Sequence, residues 1–175
     1  MTHCEVILAG TGGQGLILAA ILLAEAAILD GRNVVQTQSY GIASRGGLSL
    51  AEVIIDDDEI VFQQVLKPDC VLALSEAAAT KYEAWAAKDV TLLYDSALVK
   101  PRTGPNFYGC GFTQAAGEAG NADSANIVAL GTLAARTRAV SMGSLVQAIA
   151  ARFRGQAREL NLGLLALGGD LAASL

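Results

Sequence analysis

Val6-Ile7-Leu8-Ala9-Gly10-Thr11-Gly12-Gly13-Gln14-Gly15-Leu16-Ile17-Leu18-Ala19 is the stretch on which the fold turns. Four successive apolar residues, Val6 to Ala9, suit a strand buried on both faces. Gly10-x-Gly12-x-x-Gly15 comes next, and then the Ala-, Leu- and Ile-rich run Leu16 to Leu29. The order is strand, tight turn, helix. The helix is apolar nearly all round, so it packs between a sheet and a further layer. Asp30-Gly31 ends it, with Gly31 suited to a left-handed C-terminal cap. Val34 to Thr37 is the next strand. The unit reads as β-α-β, with parallel strands and a right-handed crossover.

Outward from this unit, Gln38 to Gly47 is a polar, Gly-containing loop, and Leu48 to Ile55 is a strand. Asp56-Asp57-Asp58-Glu59 is an acidic turn. Cys70 to Leu74 is a buried strand, and Ser75 is placed to cap an Ala-rich helix reaching about Ala87. Val90 to Tyr94 is a strand. Arg102 to Gly120 reads as loop, with a short strand near Phe107 to Phe112. The last third is helical, with stripes at Ile127, Leu130 and Ala134, at Leu145, Val146, Ile149 and Phe153, and at Leu160, Leu164 and Leu167. Gly168-Gly169 is the expected stop of the last helix. The whole, residues 1–175, is expected to be a single α/β domain. It has a Rossmann-like, mostly parallel sheet flanked by helices and a helical C-terminal third.

Composition narrows the functions open to such a domain. Hydrophobic residues make up 53% and charged residues 17% of the 175, with a mean hydropathy of +0.43. That excludes a disordered tail and points to a very complete core or to apolar surface covered by another chain. The longest apolar run, Leu16 to Ala24, is too short to cross a bilayer. The net charge of −5 leaves no basic footprint for nucleic acid. One histidine, His3, all but excludes a Ser-His-Asp triad or a His-rich metal site. Cys4, Cys70 and Cys110 form no CxxC pair. They read as core residues in a reducing, cytoplasmic setting, with neither an iron–sulfur cluster nor a Cys-type zinc site built from this chain.

The glycine loop carries the chemistry. Glycines let the chain turn and let an anionic group approach the backbone, and the helix start adds free N–H groups and a positive dipole end. Gly10, Thr11, Gly12, Gly13, Gln14 and Gly15 are therefore candidate cofactor-binding residues, with the Gln14 amide a further donor to a phosphate or to a neighbouring chain. A dinucleotide site also needs an acid after the second strand to hold the ribose. Gln36, Thr37, Gln38 and Ser39 stand there instead, so NAD is not expected. A packing-only role for the glycines remains open at this level. Arg45-Gly46-Gly47 follows the second strand on the same side of the sheet, where Arg45 could clamp a phosphate or carboxylate. Ser39 and Tyr40 could donate at the same rim. Asn121 and Asn126 flank the first C-terminal helix and read best as caps. The acidic turn lacks calcium-loop spacing. No catalytic set and no metal site is legible, which suits a piece of a larger enzyme.

Five motifs in order carry a family resemblance: Gly10-Thr11-Gly12-Gly13-Gln14-Gly15, Ser39-Tyr40-Gly41 with Ser44-Arg45-Gly46-Gly47, Ala51 to Ile55, Lys67-Pro68-Asp69, and Gly120-Asn121 with Asn126 to Gly131. Together with Glu159-Leu160-Asn161 and Gly168, they resemble the gamma subunit of 2-oxoacid:ferredoxin oxidoreductases over almost the whole chain. The stretch from Gln38 through the Glu52 strand looks most like the 2-oxoglutarate type, with the pyruvate and branched-chain (ketoisovalerate) types close behind. Ile42-Ala43-Ser44 departs from the Pro-Glu-Ala often found there. The resemblance implies an enzyme that converts a 2-oxoacid and coenzyme A to acyl-CoA and carbon dioxide and reduces ferredoxin. It places thiamine diphosphate, its Mg ion and the iron–sulfur clusters in alpha, beta and delta-type partner subunits, and no cofactor in this chain alone. It implies that Gly10 to Gly15 and Arg45 receive the nucleotide end of coenzyme A or brace the alpha subunit. An indolepyruvate-type subunit and a stand-alone nucleotide-binding module are the rival readings.

Overall fold

The computed structural model describes residues 3–40 and 47–175, the Tyr40 side chain excepted. Six strands form one sheet: β1 (His3–Thr11), β2 (Asn33–Tyr40), β3 (Leu48–Asp56), β4 (Cys70–Ala73), β5 (Thr91–Asp95) and β6 (Phe107–Cys110). Six helices flank it: α1 (Leu16–Leu29), α2 (Glu76–Ala86), α3 (Phe112–Glu118), α4 (Ala125–Thr137), α5 (Met142–Arg152) and α6 (Gly155–Ala173). The spatial order is β2-β3-β1-β4-β5-β6. β1, β4, β5 and β6 pair in parallel, whereas β3 runs antiparallel to both β1 and β2. The α/β class and the mostly parallel sheet are as expected from sequence.

Sheet order corrects the β-α-β expectation. β1 and β2 run in the same direction, but β3 lies between them, with Val6 opposite Val53 and Glu52 opposite Thr37. The signal was in the spacing. Only residues 41–47 join β2 to β3, too few for a parallel crossover and enough for an antiparallel return.

Alternation divides the core. Cys4, Val6 and Leu8 of β1 pack with α1, α4, α5 and α6 on one face, and Ile7 and Ala9 pack with α2 on the other. Both faces being covered explains why Cys4 to Ala9 reads as a near-continuous apolar run. The three cysteines are buried and unpaired. Burial pushes the Cys4 thiol up to about 12 and Cys110 up to about 11, and raises Cys70 as well. They are protonated packing residues rather than thiolates.

Two further expectations change. Gly168-Gly169 does not stop α6, which continues to Ala173. Gly168 instead lets α6 approach α4, since a Cβ there would run into the Val128 carbonyl, and one on Gly131 would meet that of Leu165. Thr132 Oγ1 donates to the Gly168 carbonyl at 2.7 Å in the same contact. The loop expected after Phe107 also contains α3. Its start lacks a local side-chain cap, and the Asp95 carboxylate at the end of β5 accepts from Thr113 N at 3.0 Å in its place. A cap supplied from 18 residues away leaves no local sequence signature.

Candidate functional site: a bare glycine loop between two cavities

β1 ends at Thr11 and α1 begins at Leu16, so the loop lies at the carboxyl end of a central strand, where open α/β sheets take ligands. Gly13 and Gly15 hold φ of 91° and 70°, a region costly for other L-residues. Gln14 closes the loop from inside. Its Oε1 accepts from Thr11 N at 2.7 Å, and its Nε2 donates to the Leu74 carbonyl at 2.6 Å. Both ends of the amide are thus occupied within the chain, tying the end of β1 to the end of β4. Gly10 is small because a Cβ there would overlap the Gln14 amide oxygen.

Asn126 does not cap α4 as expected; it lies inside the helix, 4% exposed. Its Nδ2 donates to the Gly15 carbonyl at 3.0 Å, and a Cβ on Gly15 would stand 2.5 Å from that nitrogen. Asn121 bonds Ser124 Oγ at 2.9 Å, tying down the turn before α4. Gln14 and Asn126 therefore hold the loop rigid, while Gly12 and Gly13 are left bare. A Cβ on either would meet nothing within 4 Å. The helix start has no side-chain cap, so its first N–H groups remain to serve an anion at the loop mouth.

The loop separates two cavities of opposite chemistry. One, of about 300 Å³, runs along Thr11 to Ile17 and is bordered by Ser49, with no carboxylate among the described residues of its wall. The other, of about 230 Å³, lies toward β4 and β5 and includes Asp95 and Asp123. Asp95 is fully buried and accepts from Ala97 N at 3.0 Å, Thr113 N at 3.0 Å and Thr113 Oγ1 at 2.5 Å. Short-range repulsion from two carboxylates disfavours a phosphate in the second cavity. The backbone donors and the absence of acid suit the first.

Gly47, the one residue of Arg45-Gly46-Gly47 among those described, leads into the strand that borders the first cavity at Ser49. Gly10 and Tyr40 both lie opposite Ser49, and Thr11 lies opposite Leu48, so Gly47 enters β3 beside the end of the glycine loop. Arg45 and Gly46 lie outside the described residues, as does the Tyr40 side chain. Ser39 is set apart: it lines a third cavity of about 520 Å³ with Gln38, Glu52 and Gln63. Among the described residues no group of three His, Cys, Asp or Glu is placed to hold a metal ion. The acidic turn is spent locally, with Asp56 taking the His3 ring at 2.5 Å and the Asp58 N–H at 3.0 Å. Sequence reasoning missed Asp95 and the inward roles of Gln14 and Asn126. An aspartate closing the apolar run Thr91–Asp95 was the one available hint.

Comparison with known proteins gives the loop its setting. The family model for pyruvate ferredoxin/flavodoxin oxidoreductase matches residues 5–171. The 2-oxoglutarate synthase subunit KorC of Archaeoglobus fulgidus is 46% identical over 132 residues, covering 75% of this chain and 69% of its own. KorC of Methanocaldococcus jannaschii is 40% identical over 177 residues, covering 98% and 95%. Among solved structures, the gamma subunit of the keto/oxoacid ferredoxin oxidoreductase of Geobacter sulfurreducens superposes with a TM-score of 0.85 at 38% identity, covering 98% of this chain and 99% of that one. These matches decide against the indolepyruvate-type and stand-alone readings. A chain alike over nearly its whole length to such subunits belongs to the pyruvate ferredoxin/flavodoxin oxidoreductase family as a gamma-type subunit of a 2-oxoacid:ferredoxin oxidoreductase.

Proposed function

We propose that this chain is the non-catalytic gamma subunit of a cytoplasmic, thiamine-diphosphate-dependent oxidoreductase of the 2-oxoglutarate type. The assembled enzyme would convert 2-oxoglutarate and coenzyme A to succinyl-CoA and carbon dioxide and pass two electrons to ferredoxin. Thiamine diphosphate, its magnesium ion and the iron–sulfur clusters would reside in the alpha, beta and delta-type partners. The KorC relatives at 40% and 46% identity favour this branch.

Within the complex the glycine loop receives the phosphate-bearing end of coenzyme A on its β3 side, with Arg45 as the counter-charge. The observation that carries this reading is the open backbone at Gly12 and Gly13, in a cavity with no acid among its described residues and beside an uncapped helix start. No helix among the described residues is long and apolar enough to cross a membrane.

Affinity purification from the native cells tests the assignment. Recovery with thiamine-binding and iron–sulfur chains, and viologen reduction driven by 2-oxoglutarate in preference to pyruvate or 2-oxoisovalerate, is the expected outcome. Preference for another oxoacid would overturn the branch, and recovery of this chain alone would overturn the subunit role.

A further inference from the structure

The free edge of β2 has the form of a pairing surface. Among the described residues β2 forms a ladder only with β3, as the outermost strand of the sheet. It runs eight residues in unbroken register, Asn-Val-Val-Gln-Thr-Gln-Ser-Tyr, with no charge, proline or bulge. Those are the devices that normally keep an exposed edge from adding a strand. The opposite edge, β6, has four residues, too short to match β2 head to tail.

Backbone directions fix which groups are offered. Asp69 N donates to the Glu5 carbonyl and Leu74 N to that of Ala9, each at 2.8 Å, so the odd-numbered residues of β1 turn toward β4. Its even residues therefore turn toward β3. Carried through the two antiparallel registers, this turns Val34, Gln36, Gln38 and Tyr40 of β2 outward. One antiparallel alignment of β2 with a copy of itself sets all four in hydrogen-bonded pairs. Val34 meets Tyr40 of the second copy, Gln36 meets Gln38, and Thr37 lies on the twofold axis.

The side chains agree with that alignment. Gln36 and Gln38 each carry donors and acceptors, so an identical strand complements them, whereas a charged edge would repel its own copy. In the single chain Gln36 Nε2 donates to the Thr37 carbonyl at 2.9 Å, leaving its amide oxygen for Gln38 of the second copy. We propose that this chain pairs with a second copy of itself along β2, joining two six-stranded sheets into one across a twofold axis at Thr37. The pairing brings the Tyr40 end of β2 in one copy beside the Gly31 turn of the other. It stands independently of what the glycine loop binds.

Cross-linking tests it. Residues facing each other in a non-hydrogen-bonded antiparallel pair have Cα atoms about 4.5 Å apart, within disulfide reach. Thr37→Cys should give a disulfide-linked homodimer under mild oxidation, in the full chain and in the assembled enzyme. The parent should give none, because Cys4, Cys70 and Cys110 are buried. The parent should sediment as a dimer. Gln36→Pro removes an outward N–H and spares the β3 ladder, so it should weaken association by about tenfold or more with an unchanged far-ultraviolet spectrum. A parent that stays monomeric at every concentration, with no cross-link from Thr37→Cys, would overturn the proposal. So would a Thr37→Cys cross-link to a different subunit of the enzyme. If Gln36→Pro does not fold, the cross-link decides alone.

Discussion

The two sides of the glycine loop share one backbone yet differ in the chemistry of their walls. On the β3 side the wall is Thr11 to Ile17 with Ser49, and the polarity comes from main-chain groups. On the β4 and β5 side the same Gly13 and Gln14 face Asp95 and Asp123. A glycine-rich turn before a helix is thus not sufficient to say where an anion sits. The neighbouring strand ends count as well, because a carboxylate in the same cavity opposes what the helix start favours.

The strongest way to break this comparison is to remove the loop that both sides share. Gly15→Val demands φ near 70° and presses a side chain onto Asn126. Left-handed strain of about 1–2 kcal/mol and crowding of about 1–3 kcal/mol should together lower urea-melt stability markedly. A variant as stable as the parent would mean that the Asn126 tie does not hold the loop.

Next come changes meant to separate the sides. Arg45→Ala in the assembled enzyme should raise the KM for coenzyme A by about tenfold, close to 1.4 kcal/mol, with the oxoacid KM unmoved. Gly12→Val fills open space, so it should change stability by no more than about 0.5 kcal/mol while weakening coenzyme A use. Asp123→Asn, on the acidic side, should leave coenzyme A kinetics as they are. If Asp123→Asn alters the coenzyme A KM and Gly12→Val does not, the ligand lies on the other side of the loop.

The smallest expected effect is a control distant from both cavities. Partial burial by itself would raise the pKa of Asp30. Hydrogen bonds from Ser144 Oγ at 2.6 Å and from the Ser141 N–H at 2.7 Å and Oγ at 2.8 Å outweigh that and hold it below the ordinary 3.8. A depressed carboxylate contributes stability above its unfolded pKa and loses it as pH falls through the folded value. Asp30→Asn should therefore flatten the acid limb of a stability profile below about pH 4 and leave coenzyme A kinetics unchanged. An unaltered acid limb would show that the Ser141 and Ser144 bonds carry no linkage.

Much of this molecule is visible in short stretches of chain. The β1-loop-α1 unit, the Ser75 cap, whose Oγ accepts from Ala78 N at 3.2 Å, and the left-handed Gly31 at φ 77° follow from periodicity and glycine sterics. The missing ribose acid after β2 is likewise a matter of reading positions 36 to 39. The α3 start and the Gly168 contact were not visible, because a cap from Asp95 and a helix crossing depend on chain far away.

By itself, then, the sequence determined an α/β fold with a glycine-rich turn between its first strand and helix, no dinucleotide acid and the motifs of its family. Those are effects within a few residues, where sterics and hydrophobic period act directly. Tertiary structure alone decided that β3 lies between β1 and β2, that Gln14 and Asn126 face inward, and that acid guards one side of the loop. The Gln14 tie to Leu74 spans 60 residues and the Asn126 tie to Gly15 spans 111. Which strand ends become neighbours over such separations is set by sheet order, and sheet order is settled by burying both faces of the sheet together.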